Sequence, residues 1–167
     1  LRVITESFLK PELLLAEISA GKGSFVVADI GTTTIAMELY EENGKKLEQH
    51  VLPNPQRIFG ADVISRIQTA ENPMLAKQMQ SLVKSALAEG VKKFAEKSDT
   101  IEEMYIAANT TMLYLLCGHD VQPLGYAPFQ ADYLQSEELR IGEIKAVTLP
   151  GLSAFVGGDI MAGILAS

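Results

Sequence analysis

The sequence has few of the residues that form covalent cross-links or bind soft metal ions. Cys117 is the single cysteine, and His50 and His119 are the only histidines among 167 residues. One thiol excludes, within these residues, an internal disulfide, a CxxC redox pair and an iron–sulfur cluster held by four thiolates. Two histidines give no support to a histidine-rich metal site.

Long apolar runs and blocks of positive charge are also missing. No uninterrupted apolar run approaches the ~20 residues that span a bilayer, and residues 1–10 lack a basic region followed by an apolar stretch. The 14 Lys and Arg residues against 21 Asp and Glu give a net charge of −7, whereas binding to nucleic acid needs clustered positive charge. We therefore expect a cytoplasmic protein that binds neither membrane nor nucleic acid.

The composition that remains is that of an ordinary globular domain. Hydrophobic residues make up 47% and charged residues 21%, which is enough to build a core. Residues 1–23 are interpreted as a connecting segment with a short helix at 11–18. Because the sequence begins at Leu1 and not at Met, we expect a piece of a longer protein.

A three-stranded meander is predicted at the start of the folded region. Residues 24–30 form an apolar run rich in β-branched residues, typical of a strand buried on both faces, and residues 34–40 alternate like a half-covered strand. Asn43 and Gly44 predict a two-residue type I′ turn, which returns a third strand over about residues 45–52.

Helices and further strands follow the meander. Apolar residues recur every three or four positions from 74 to 96, which predicts one long helix with an apolar stripe. Three further helices are predicted, at 61–68, from a cap at 109–111 to Leu116, and at about 158–165. Two further strands are predicted at 101–108 and 146–149. This order predicts an α/β fold with a mixed five-stranded sheet, made of an antiparallel meander plus two parallel strands, flanked by helices.

The turn between the first two predicted strands is the first candidate site. From residue 29 the chain reads Asp-Ile-Gly-Thr-Thr-Thr. Gly31 lets a ligand approach the backbone, and the N–H and hydroxyl groups of Thr32, Thr33 and Thr34 can point at phosphate oxygens. Asp29 suits Mg²⁺ held largely through water. The alternative is a hairpin turn whose threonines serve β propensity.

This turn, in this order of elements, resembles the first phosphate motif of the actin, heat-shock-protein and sugar-kinase superfamily. Further segments resemble the reductive activators of corrinoid proteins, which are ATP-dependent enzymes with a [2Fe–2S] ferredoxin-like domain before the ATPase domain. Those segments are Asn-Pro-Gln at 54–56, Gly-Ala-Asp-Val-Ile-Ser-Arg-Ile at 60–67, Ala-Asn-Thr-Thr-Met at 108–112, Pro-Leu-Gly-Tyr-Ala-Pro-Phe at 123–129 and Leu-Pro-Gly-Leu-Ser-Ala-Phe-Val-Gly-Gly-Asp-Ile at 149–160.

The resemblance covers residues 24–167 and implies an architecture and a function. It implies the first lobe of an RNase H-like, actin-like ATPase domain that binds ATP and Mg²⁺ and supports reduction of Co(II) to Co(I) in a corrinoid protein partner. The second lobe and the ferredoxin-like domain with its [2Fe–2S] cluster are expected outside this chain, and a homodimer is possible for the whole protein. A single lobe should bind nucleotide poorly. A small-molecule kinase lobe and a non-catalytic dimerisation or docking module are the alternatives.

Two further groups of residues are candidates. By the resemblance, Asp159 after Gly157 and Gly158 would be catalytic and face the γ-phosphate, although an Asp at a helix start can equally cap that helix. Asn109 either caps a helix, the favoured reading, or touches the ligand at a strand end.

Two other features of the sequence favour structural roles. Asp62 and Arg66 are interpreted as an exposed i,i+4 ion pair worth ~0.3–0.5 kcal/mol, with a pair facing the cleft as the alternative. Cys117 is expected to act as a small core hydrophobe, and both histidines are expected at the surface.

Overall fold

The computed structural model describes residues 23–98 and 100–150, and it begins with an antiparallel meander. The meander consists of β1 (Ser24–Ile30), β2 (Thr34–Tyr40) and β3 (Lys46–Pro53). Buried and half-buried residues alternate along β1, because successive side chains of a strand point to opposite faces. Except for Gly23, the predicted connecting segment lies outside the described residues. The predicted last helix and the candidate residues Gly157, Gly158 and Asp159 lie outside them as well.

Three more strands extend the sheet beyond β1. Strand β4 (Ile101–Ala108) runs parallel to β1, β6 (Ile144–Thr148) runs parallel to β4, and β5 (Glu138–Ile141) pairs antiparallel with β6. The strand order is β3-β2-β1-β4-β6-β5. The mixed α/β sheet is confirmed, with the meander and the parallel strands as predicted.

The predicted number of five strands is wrong, because the described residues form a sheet of six. The missed strand is β5, which has only four residues and alternates exposed Glu138 and Arg140 with Leu139 and Ile141. Such a short, charged segment resembles a loop until its partner strand is known. Pairing with β6 is what makes it a strand.

The turn between β2 and β3 also differs from the prediction. Gly44 has a φ of 82°, but Asn43 is not among the described residues of positive φ, so this is not a type I′ turn. The Glu41 N–H donates to the Lys45 carbonyl and the Gly44 N–H donates to the Glu41 carbonyl, both at 2.9 Å. Gly44 alone therefore supplies the left-handed residue of a three-residue loop.

The helices lie close to their predicted positions. A 3-10 helix (Pro55–Phe59) precedes α1 (Val63–Ala70) and α2 (Pro73–Phe94), while α3 (Thr110–Cys117) and α4 (Gln122–Gly125) follow β4. The long helix α2 contributes one buried stripe to the core, which consists of Met79, Val83, Leu87 and Phe94 together with Gly90. Among the described residues, no helix combines the length and apolarity needed to cross a bilayer.

The parallel pairing of β1 with β4 determines where a site can form. Ile30 and Ala108, the last residues of the two strands, are register partners. The loop that follows β1 and the start of α3 therefore lie side by side at one edge of the sheet. Ligands of open α/β sheets bind at this kind of edge, beyond the carboxyl ends of parallel strands.

Candidate functional site

The loop of residues 31–34, which we call the 31–34 loop, is a tight turn at the end of β1. The Gly31 N–H donates to the Thr34 carbonyl at 2.9 Å. A Cβ atom added at Gly31 would lie 3.0 Å from that same carbonyl oxygen, so the turn favours glycine by close approach. Thr33 and Thr34 are exposed, while Thr32 is half-buried.

Three successive carbonyls of the 31–34 loop accept hydrogen bonds from Asn54 and Arg66. The Asn54 side chain donates from Nδ2 to the Gly31 carbonyl at 2.7 Å, and the Asn54 N–H donates to the Thr33 carbonyl at 2.9 Å. Arg66 donates from Nη2 to the carbonyl of Thr32, which lies between them. In a trans peptide the C=O and the following N–H point in opposite directions.

The N–H groups of Thr32, Thr33 and Thr34 consequently point away from Asn54 and Arg66. Successive backbone N–H groups turned to one side form a concave site that attracts anions. The prediction that this loop can offer N–H groups to phosphate oxygens therefore has a structural basis. Whether phosphate binds there stays a prediction.

Asn54 is a site residue whose role the sequence reasoning missed. Its side chain is 1% exposed, and its Oδ1 accepts a hydrogen bond from the Gln56 N–H at 2.9 Å, which caps the 3-10 helix. The signal in the sequence was an Asn between Pro53 and Pro55. Pro53 ends β3 and Pro55 begins the 3-10 helix, so an Asn between them can cap that helix. Its position beside the 31–34 loop follows from the β2–β3 pairing.

The expected exposed ion pair between Asp62 and Arg66 is wrong. Arg66 is 0% exposed, and its Nε donates to the Gly60 carbonyl at 3.0 Å. Asp62 instead caps α1, where its Oδ1 accepts from the Ser65 N–H at 2.8 Å and the Asp62 N–H donates to Ser65 Oγ at 3.3 Å. That hydrogen bonding, more than Arg66, holds the pKa of Asp62 below its usual value.

Asn109 lies at the end of β4, where it caps the helix that follows. Its Oδ1 accepts from the Met112 N–H at 3.0 Å, which confirms the helix cap of α3. Its Nδ2 also donates to the Thr32 hydroxyl at 3.4 Å. The cap therefore stands directly against the 31–34 loop, and contact with a ligand stays a prediction.

Asp29 lies one residue before the end of β1 and is half-buried. Strand alternation places it on the same face as Phe25 and Val27, opposite the face that carries Val26 and Ala28. The structure thus brings Asp29, the 31–34 loop and Asn109 to one edge of the sheet. Asp159, Gly157 and Gly158 cannot be placed relative to them, because they lie outside the described residues.

A separate group of possible metal ligands lies at the other end of α3. Donor atoms of Cys117, His119 and Glu137 lie within 4.8 Å of one another. His119 Nε2 and Glu137 Oε1 are already hydrogen-bonded to each other at 2.5 Å, and burial, followed by the charge of Glu137, raises the pKa of Cys117 to about 11. These side chains therefore form a hydrogen-bonded pair beside a protonated thiol.

The environment of these residues differs in part from expectation. Cys117 is half-buried rather than fully enclosed, and His119, expected at the surface, is also half-buried. The His119 ring stacks on Tyr133 with centroids 3.9 Å apart. A cleft of about 500 Å³ opens at this same end of α3, beside Gly118 and His119. The rise per residue of an α-helix places this end of α3 about 12 Å along the helix axis from Asn109.

Comparisons with known proteins agree with one another. The family described as "RACo middle region" matches residues 25–167. The corrinoid activation enzyme RamQ of Eubacterium limosum is 34% identical over 154 residues, which cover 84% of this chain and 26% of that protein. The solved structure of a reductive activator for corrinoid, iron-sulfur protein matches with a TM-score of 0.77 and 28% identity, over 87% of this chain and 25% of that one. The chain spans about a quarter of each relative's length.

Proposed function

This chain belongs to the RACo middle-region family, and from that membership we propose that it is the first lobe of an actin-like ATPase within a reductive activator of corrinoid proteins. The observation that carries the proposal is the anchoring of three successive carbonyls by Asn54 and Arg66. Because these carbonyls bond to Asn54 and Arg66, the N–H groups of Thr32, Thr33 and Thr34 point away from those two residues, and we assign them to the phosphates of the nucleotide.

Each site residue has a role in this proposal. The 31–34 loop binds phosphate oxygens, Asn109 keeps Thr32 in place, and Asp159 orients the attacking water. The family relationship supports a corrinoid protein as partner, and a homodimer is part of the proposal for the whole protein. ATP moves the lobes only by binding one conformation more tightly than the other. The closed conformation would favour electron transfer to Co(II), giving Co(I).

The side chains at the loop fit Mg²⁺ and do not fit an iron–sulfur cluster. Asp29 and the threonine hydroxyls are hard oxygen donors, which Mg²⁺ prefers while keeping several waters. The ion would neutralise part of the phosphate charge, and Asp29 would hold its water shell. A [2Fe–2S] cluster needs thiolates, and this chain has only Cys117, so the cluster belongs to the full-length protein in this proposal.

Asp29→Asn in the full-length protein tests the proposal. The substitution keeps the size of the side chain but removes its charge, so we expect loss of ATP-dependent reduction of the corrinoid partner with the unfolding temperature retained. Absorbance of the Co(II) and Co(I) states follows the reaction. Asp132→Asn is the matched control, because Asp132 is exposed and should tolerate the change.

The results separate the candidate functions. Unchanged activation in Asp29→Asn removes the role assigned to Asp29. Phosphate transfer from ATP to a sugar or an acid, without Co(I) formation, would favour the kinase alternative. No response of the full-length protein to nucleotide would favour the docking module.

A further inference from the structure

Arg66 places a positive charge directly behind the 31–34 loop. Its guanidinium is 0% exposed and contacts only neutral acceptors among the described residues. Nε donates to the Gly60 carbonyl at 3.0 Å, Nη1 lies 3.4 Å from Gln56 Oε1 and 3.2 Å from Met112 Sδ, and Nη2 donates to the Thr32 carbonyl. Within residues 23–98 and 100–150, no carboxylate forms an ion pair with it.

A buried cation with neutral partners is costly to keep. Burial lowers the pKa of Arg66, and the charge of Asp62 offsets this effect in part. Arginine nevertheless remains protonated in proteins, so the charge persists. Asp62 does not neutralise it by contact, because its carboxylate caps α1. An anion on the far side of the 31–34 loop would supply the missing negative charge.

One peptide group links the cation to that far side. Arg66 donates to the carbonyl of Thr32, and the same peptide unit carries the N–H of Thr33 on its opposite side. A cation bound at the carbonyl polarises the peptide, which strengthens the N–H as a donor. The effect acts on any phosphate oxygen that Thr33 binds, and it grows with the negative charge of the ligand.

We propose that Arg66 is a positioning residue that transmits its buried charge to the phosphate site through the Thr32–Thr33 peptide. The inference rests on the proposed function, in which the 31–34 loop binds the phosphates of ATP. It adds that affinity for polyphosphate depends on a side chain that never touches the nucleotide. Lysine is a poor substitute, because a single ammonium cannot reproduce the planar fork that holds Gly60 and Thr32 together.

The experiment uses the full-length protein and compares Arg66→Met with Arg57→Met. Both variants lose one positive charge, but Arg57 is exposed in the 3-10 helix. Calorimetric titration measures Kd for ATP, ADP and adenosine. Loss of the positive charge behind the 31–34 loop weakens the Coulomb attraction to phosphate, so we expect an affinity for ATP about 10- to 100-fold weaker in Arg66→Met. We expect a smaller loss for ADP, an unchanged affinity for adenosine, and wild-type values in Arg57→Met.

Each outcome decides the question. Wild-type affinity for ATP in a folded Arg66→Met overturns the inference, and so does an equal loss for ATP, ADP and adenosine, which would indicate a purely structural role. If Arg66→Met does not fold, Arg66→Gln decides by the same criterion, because glutamine removes the charge but keeps an N–H donor; loss for ATP but not for adenosine supports the inference. If the wild-type protein binds no ATP, the proposed function itself is wrong, and the phosphate-binding role of Arg66 is wrong with it.

Discussion

At the scale of single residues, the 31–34 loop depends on buried polar side chains more than on its own threonines. Asn54 joins the 31–34 loop to the 3-10 helix, since it bonds to Gly31 and Thr33 in the loop and to Gln56 in the helix. A buried polar group that loses its partner keeps the full cost of desolvation. The residues that support the loop should therefore affect stability as well as binding.

Asn54→Ala removes the side-chain hydrogen bonds to the Gly31 carbonyl, the Gln56 N–H and Met112 Sδ, and it leaves the Gly31 carbonyl without the Nδ2 donor. We expect the free energy of unfolding to fall by about 2–4 kcal/mol, measured by urea denaturation. Asn43→Ala is the control, because the Asn43 side chain also makes hydrogen bonds but is exposed in the β2–β3 turn. Equal effects of the two substitutions would contradict the importance given to burial.

The Cys117 thiol offers a test of the environment at the other end of α3. Burial disfavours the thiolate and raises the pKa from 9.0 to about 11. At pH 8 the folded protein should therefore react with iodoacetamide about 100-fold more slowly than the urea-unfolded protein, because only the thiolate reacts. The rate in the folded state should rise with pH up to about 11. Mass spectrometry of the Cys117 peptide measures both rates, and equal rates at pH 8 would refute the expectation.

At the scale of elements, helix α2 lies close to the sheet at a residue without a side chain. Gly90 is buried in α2, and a Cβ atom added there would lie 2.4 Å from the Sδ and 2.8 Å from the Cε of Met37 on β2. Met37 is itself fully buried. A glycine inside a helix costs helical stability, and here it allows close packing of helix and strand.

Gly90→Ala sets two opposing effects against each other. Helix propensity favours alanine by about 0.5–1 kcal/mol, whereas overpacking a filled core costs about 1–3 kcal/mol. We expect a net loss of about 1 kcal/mol in the free energy of unfolding, measured in urea. Glu89→Ala, at an exposed position of the same helix, should change little. A gain in stability from Gly90→Ala would show that Met37 moves aside freely.

At the scale of the whole molecule, the described part of the proposed site is one edge of the sheet, formed by Asp29, the 31–34 loop and Asn109. The anchored carbonyls leave the N–H groups of Thr32, Thr33 and Thr34 pointing away from Asn54 and Arg66, and this chain spans about a quarter of each relative's length. Charged ligands are held most strongly where donors surround them and exclude water. We therefore expect the proposed ATP site to take further donors from a second lobe outside this chain.

The isolated chain should accordingly bind ATP at least ~100-fold more weakly than the full-length protein, since removing several charge-assisted contacts costs about 1.5–3 kcal/mol each. Calorimetric titration in the presence of Mg²⁺ compares the two, and circular dichroism checks that the isolated chain is folded. Comparable Kd values would mean that this lobe binds nucleotide by itself.

Local patterns in the sequence predicted most of the elements. The strands at 24–30, 34–40 and 101–108 and the long helix agree with the structure, because periodicity and Gly or Pro punctuation act over neighbouring residues. The same reasoning failed for β5 and for the β2–β3 turn. A four-residue strand has too few residues to show a period, and more than one hairpin loop can place a glycine at positive φ.

The sequence by itself determined the mixed α/β order and a glycine–threonine turn after a buried strand. Only the tertiary structure decided what surrounds that turn. Asn54, Arg66 and Asn109 bond to it from 23, 34 and 77 residues away, and no local pattern carries such separations. Arg66 in particular was expected in solvent on the strength of its spacing from Asp62. The packing of α1 against the 3-10 helix, α2 and α4 buried it instead, because the fork of the guanidinium could satisfy two backbone carbonyls at once.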